Sequence, residues 1–136
     1  MKVLLMILIF MISIRLLAPG YLSGVILKAE PVKPYERIFK VICQIESNND
    51  SLAVNLNDPN GGSFGIAQIG WLKLSEYNQA TGANYKLTDL FSVELSKKIF
   101  LWHCMNYPDI ETACKRWNGS GSATLVYWDK ITAYLF

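Results

Sequence analysis

The sequence predicts a mainly α, α+β single domain of short helices with a small β-hairpin or irregular loop region, preceded by a hydrophobic export segment. Three observations carry that reading. Apolar residues recur at helical spacing in several separate segments, residues 54 to 69 are crowded with turn formers, and the first 27 residues form an apolar stretch apart from the rest. The chain has 136 residues, of which 51% are hydrophobic and 18% charged, which excludes a disordered chain. Lys+Arg 13 against Asp+Glu 11 gives a formal net charge of +2, with no basic run, so nucleic acid is not an expected partner.

In chain order, residues 1–27 are read as a signal peptide or a signal-anchor. Lys2 supplies a short positive start and Val3 to Ile14 is uncharged and apolar. A helix of that length rises about 18 Å, short of the roughly 30 Å hydrocarbon core. It suits the apolar region of a secretory signal, and Ala18-Pro19-Gly20 offers a small-x-small cleavage site. The alternative is an uncleaved anchor running on to Leu27, which would hold Arg15 in mid-membrane at about 2.5–3.5 kcal/mol. Both readings place the remainder outside the cytoplasm, secreted, periplasmic or anchored in the cytoplasmic membrane. A third possibility, a membrane protein working only through this helix, is disfavoured by the long amphipathic remainder.

Residues 28–34, with Pro31 and Pro34, are read as a linker, and 35–136 as one folded domain. Ile38, Val41, Ile42 and Ile45 define a first amphipathic helix that Asn48, Asn49 and Asp50 stop. Asp58-Pro59-Asn60-Gly61-Gly62 marks a turn whose flanks make a small hairpin. A short polar helix spans about Trp71 to Gln79 and closes near Gly82. The segment 90 to 106 turns apolar on nearly every side after Lys98, the pattern of a buried central helix. Pro108 is expected in the first turn of the next helix, with Asp109 and Glu111 at its positive end. Ile110, Ala113, Cys114 and Trp117 give that helix its stripe, and Gly119 and Gly121 end it. Ala123, Val126, Tyr127, Ile131 and Tyr134 trace a last amphipathic helix.

Cys43, Cys104 and Cys114 have no metal-ligand spacing. Either Cys104 and Cys114 pair across the turn between their helices, or all three are small buried thiols. His103, in an almost wholly apolar run, reads as a satisfied core histidine, and no metal site is expected.

Three separated pieces carry the chemistry. Glu46 ends the first helix at the margin of its apolar stripe, and by itself this segment is met by an ordinary glutamate fraying into solvent. If the side chain is held against the stripe instead, desolvation would raise its pKa toward that of a general acid. Gly62-Ser63-Phe64-Gly65-Ile66-Ala67-Gln68-Ile69 places the polar Gln68 between apolar neighbours, either buried with partners or facing a cleft. Arg116-Trp117-Asn118-Gly119 delivers an aromatic face and an amide at a helix end, a mixture that suits sugar. In order, Glu46-Ser47, Gly65-Ile66-Ala67-Gln68-Ile69 and Trp117-Asn118-Gly119 with Tyr127 downstream resemble the successive motifs of the soluble-lytic-transglycosylase domain family, in the goose-type lysozyme-like superfamily. Trp117 stands where that family usually has tyrosine, so an aromatic is kept and a hydroxyl lost.

The resemblance implies a lysozyme-like fold and a lytic transglycosylase that cleaves the β-1,4 bond between N-acetylmuramic acid and N-acetylglucosamine in peptidoglycan. Glu46 would protonate the glycosidic oxygen, the muramoyl N-acetyl group assisting at C1. The same residue would then take the proton of the C6 hydroxyl as a 1,6-anhydro ring closes. Ser47, Gln68, Trp117, Asn118 and Tyr127 would form the substrate-binding set: Gln68 and Asn118 would bind sugar or fix Glu46, Ser47 would support the helix end, and Tyr127 would hydrogen-bond to Glu46. Neither step calls for a cofactor. The implied partners are peptidoglycan strands and a wall-spanning secretion, conjugation or phage machinery. A hydrolysing lysozyme would need a second carboxylate about 5–5.5 Å or about 6.5–9.5 Å from the acid. Asp50 and Asp58 are the candidates, although turn capping explains both. A wall-binding or structural subunit without catalysis is the alternative from another class.

Overall fold

The computed structural model describes residues 33–58 and 61–136, so the expectations for the export segment and most of the linker lie outside the described residues. Among the described residues five α-helices and one 3-10 helix surround a three-stranded antiparallel sheet of two-residue strands. No helix among them is long and apolar enough to cross a membrane.

Helix α1 spans Lys33–Ser47 and so takes up the end of the expected linker. Its buried stripe is the expected one, Ile38, Val41 and Ile42, widened by Phe39 and Cys43 and flanked by Ile45. Asn48 and Asn49 end it in left-handed conformations, φ 55° and 64°, which short amide side chains tolerate. The Asn49 N–H donates to the Cys43 carbonyl at 3.1 Å, satisfying one of the last orphan acceptors of the helix.

Strands β1 (Val54–Asn55) and β2 (Ser63–Phe64) form the expected hairpin, with Val54 opposite Phe64 and Asn55 opposite Ser63. A third strand, β3 (Ile69–Gly70), adds to β2 with Phe64 opposite Ile69 and Ser63 opposite Gly70. Pleating therefore splits the sheet into a row of Asn55, Ser63 and Gly70 and a row of Val54, Phe64 and Ile69. Ile69 is fully buried. Its burial contributes about 1.5–3 kcal/mol, more than a net hydrogen bond at about 0.5–1.5 kcal/mol. Packing of the second row, rather than the short ladder, holds the sheet.

Helix α2 (Trp71–Thr81) follows β3 directly and closes at Gly82 in a left-handed cap, φ 71°. The expected long helix from residue 90 is in fact two elements. A 3-10 helix, Leu87–Phe91, is followed by α3, Val93–Met105, and Ser92 caps α3 by accepting from the Leu95 N–H. The periodicity of 90 to 106 concealed that break, because Leu90 is buried on the same side as the helix behind it. The α3 residues Ile99 and Phe100 are fully buried, whereas Met105 stands out in solvent. The helix is thus central without being apolar-packed on all sides.

Helix α4 (Ile110–Asn118) starts later than expected. Asp109 is its N-cap, accepting from the Thr112 N–H at 2.7 Å, and Pro108 lies before the cap rather than in the first turn. A side-chain acceptor at the cap satisfies a donor that proline could only remove. Gly119 ends the helix as expected. In α5 (Ala123–Leu135) the buried face is Thr124, Tyr127 and Ile131, and the Ala123, Val126 and Tyr134 expected inside are exposed. Trp128 and Leu135 pack on the core in their place, turning the stripe by about one residue.

The core joins these elements through Ile42, Leu74, Leu90, Ile99, Phe100 and Ile131, all fully buried. Phe100 packs against Phe39 of α1 and Trp117 of α4, with ring centroids 5.6 and 5.2 Å apart. His103 is the satisfied core histidine expected, its Nε2 2.9 Å from the Ala113 carbonyl and its ring edge-on to Trp117. Cys43, Cys104 and Cys114 are all buried and free, so the pairing alternative for Cys104 and Cys114 is not realised.

Candidate active site

A cleft of about 430 Å³ runs between the end of α1, the sheet, the start of α2 and the end of α4. Glu46 opens into it from α1. The sheet presents its polar row, Asn55, Ser63 and Gly70, while α4 contributes Arg116, Trp117 and Asn118. Pieces of chain separated by more than 70 residues thus meet at one carboxyl.

The pKa of Glu46, which lines this cleft, is raised. Desolvation is the chief cause; the hydrogen bond from Tyr127 and the charges of Lys73 and Lys130 oppose it. Its place in the last turn of α1 acts in the same sense as burial, since the negative end of the helix dipole disfavours a carboxylate. Tyr127, only 6% exposed, donates its hydroxyl to Glu46 Oε1 at 2.5 Å. That contact fixes one oxygen. Burial and the neighbouring carboxylate push the tyrosine's own pKa upward, so it stays a donor.

Gln68 lines the cleft, but its amide is engaged by protein. Nε2 donates to the Gly65 and Ala53 carbonyls at 2.9 and 3.3 Å, and Oε1 accepts from Ser63 Oγ at 3.0 Å. Its backbone has φ 47°, a left-handed conformation closing the turn that begins at Gly65. Gln68 therefore shapes the cleft wall and has little donor capacity left for a ligand. Ser47 is outside the cleft. Its hydroxyl lies 2.7 Å from the Ile66 carbonyl and 3.2 Å from that of Cys43, which ties the end of α1 to the β2–β3 loop. Asn118 lines the cleft and is exposed there.

Trp117 borders the cleft yet is only 7% exposed, packed edge-on against Phe100 and His103. It is not an open stacking platform. Trp71, which the sequence reading passed over as a site residue, lines the same cleft and is half-exposed at 50%, so it is the more accessible aromatic there. Its position immediately after β3 was the available signal: a first helical turn beginning with tryptophan has no core-facing periodicity to explain it.

Lys73 was missed as well. It lines the cleft, its Nζ lies 4.1 Å from the centroid of the Trp117 ring, and it donates to the Trp117 carbonyl at 3.3 Å. Burial lowers its pKa to about 8 against the attraction of Glu76 and Glu46.

Of the two candidate second carboxylates, Asp58 lines the cleft and Asp50 does not. Asp50 accepts from the Leu52 N–H at 2.9 Å, the turn role expected for it. Among the described residues no three His, Cys, Asp or Glu side chains converge on a point that could hold a metal ion. A sheltered carboxyl held by a tyrosine, with amides and an aromatic along an open groove, can transfer a proton to and from an oxygen of a bound polyol. No protein-family model matches this chain, and no curated protein and no solved structure matches it.

Proposed function

We propose that the protein is a peptidoglycan lytic transglycosylase with a lysozyme-like domain, working with Glu46 as its one acid and base. The observation that carries the reading is the Glu46 carboxyl, desolvated in a cleft of about 430 Å³ and held by the Tyr127 hydroxyl. A general acid must hold its proton near the working pH, and burial at this margin shifts the Glu46 carboxyl in that direction. Protonated Glu46 gives its proton to the glycosidic oxygen as the C1–O bond breaks. The resulting carboxylate takes the proton of the muramoyl C6 hydroxyl, whose oxygen bonds to C1 and closes the 1,6-anhydro ring. The carboxyl ends in the state in which it began. Trp71 and Asn118 suit the sugar's apolar face and its amide and hydroxyl groups.

Export through the N-terminal segment would bring the enzyme to its substrate, and local wall opening for a secretion, conjugation or phage apparatus is the role we assign it. Asp58 on the same cleft favours one second reading, a hydrolysing muramidase in which that carboxylate assists an attacking water.

Digestion of purified peptidoglycan by wild type and Glu46→Gln, read by mass spectrometry, tests all of this. Anhydro-muropeptides, lighter by one water than hydrolysis products, are expected from wild type. Glu46→Gln should fall by about 10²–10⁴-fold while still binding glycan. Reducing ends alone would replace the transglycosylase reading with the muramidase one. Undiminished turnover in Glu46→Gln would falsify the assignment of the acid, and glycan binding with no turnover in wild type would leave a wall-binding subunit.

A further inference from the structure

Lys73 is an amine where a solvated lysine has no reason to be. It projects from the first turn of α2, yet its head group rests on the Trp117 indole, 4.1 Å from the ring centroid, and bonds to the carbonyl of the same residue at 3.3 Å. Trp117 in turn is wedged against Phe100 and His103, so this wall of the cleft cannot shift without disturbing the core. The amine and Glu46 line one cleft and act on each other's charge.

We propose that Lys73 is a positioning residue of the Glu46 cleft: it pins the end of α4 against the start of α2 and fixes its ammonium on a wall of the cleft into which Glu46 opens. Its bearing on catalysis rests on the reading of Glu46 as acid and base; the effect of the ammonium on the Glu46 carboxyl does not.

The charged and titratable groups around the pair settle which way the effect runs. Glu46 feels Tyr127 and Lys130 from α5, Lys73 from α2 and Cys43 on its own helix. Lys73 feels Glu76 on its own helix, Glu46 on α1, and His103 and Cys104 on α3. Arg116 and Asp58 line the same cleft. Lys130 is exposed, so solvent screens it, whereas Lys73 is shielded by Trp117. Lys73 is therefore the cation whose loss Glu46 should register most. A cation near a carboxyl favours the ionised form, and removing it raises the pH at which the proton leaves.

The experiment follows the Glu46 carboxyl by carbon NMR in full-length protein labelled at glutamate, with the signal assigned by its disappearance in Glu46→Gln. Lys73→Met keeps the aliphatic stem over the indole and removes the charge; Lys73→Arg keeps the charge. The Glu46 midpoint should move to higher pH in Lys73→Met and stay near wild type in Lys73→Arg. The alkaline limb of kcat/KM should move with it, whereas a merely structural role would lower activity without moving the limb. Wild type gives an independent check should Lys73→Met fold poorly. Its Glu46 signal should show a second inflection near pH 8 as Lys73 loses its proton. An unmoved midpoint in Lys73→Met, or a single inflection in wild type, overturns the proposal. A moved midpoint in a protein that never cleaves peptidoglycan would sustain the Lys73–Glu46 coupling and remove the catalytic reading.

Discussion

Glu46 is acted on by opposing influences of different kinds. Desolvation raises its pKa, and the Tyr127 hydroxyl, which donates to the carboxylate most strongly, lowers it. The protonated form is the acid, so activity on free enzyme should be present below the Glu46 pKa and fade as pH rises through it. Tyr127→Phe deletes the influence that favours ionisation, and the alkaline limb of kcat/KM should therefore move to higher pH. The same change leaves a buried acceptor short of its donor and should lower stability by about 1–3 kcal/mol, read by denaturant titration. A limb displaced to lower pH would mean that the tyrosine bond does not favour the carboxylate. At this scale the sequence was informative about Glu46 and Tyr127, because both are placed by simple helical stripes. It left open whether Gln68 is buried with partners or faces a cleft, and it put Trp117 both in a core stripe and in the cleft; the Gly65 and Ala53 carbonyls take up the Gln68 amide, and Lys73 covers the Trp117 face. Whether a polar group faces ligand or its own backbone depends on tertiary neighbours that spacing does not encode.

The elements that present these residues depend on close backbone contacts more than on side-chain pattern. Gly65 shows this best. Its φ is 75°, and a Cβ there would lie 2.0 Å from the Leu90 carbonyl oxygen. The β2–β3 loop thus rests directly on the 3-10 helix, backbone against backbone, and neither side has a flexible end to move. Gly82, at the end of α2, has a similar φ of 71° but nothing within 4 Å of the same atom. The two glycines separate backbone strain from collision. Gly82→Ala should cost about 1–2 kcal/mol, the penalty of a left-handed alanine. Gly65→Ala should cost well over that and displace the Gln68 turn, lowering glycan cleavage together with the melting temperature. Similar losses in the two variants would show that the loop can lift off the 3-10 helix at no expense. That contact also explains a missed boundary: Leu90 reads as part of the α3 stripe, and only the Ser92 cap and the loop lying on the Leu90 carbonyl reveal a separate turn. The third strand escaped for a related reason, since a two-residue strand has no periodicity to display.

At the scale of the fold, most helical segments were legible because they carry their own apolar stripes, which the core then uses nearly as written for α1 and α4. What the stripes leave open is how neighbouring helices are rotated about their axes, and that is where α5 departed. The three cysteines offer a test of this packing. They come from α1, α3 and α4 and converge on one core, where burial raises their pKa values to about 11 for Cys43 and about 12 for Cys104 and Cys114. The thiolate is the reactive form, so at pH 8 almost none is present, and the thiols are also shielded from reagent. Native protein should accordingly resist alkylation, and all three thiols should react together, without added reductant, once denaturant opens the core. A single reactive thiol in the unfolded protein would indicate a disulfide and require α3 and α4 to meet differently from the arrangement seen around Trp117 and His103. Stepwise labelling, with one thiol exposed well before the others, would mean that the helix bearing it separates first. For Cys43 that helix is α1, which carries Glu46, so the acid would lose its shelter before the fold as a whole gives way.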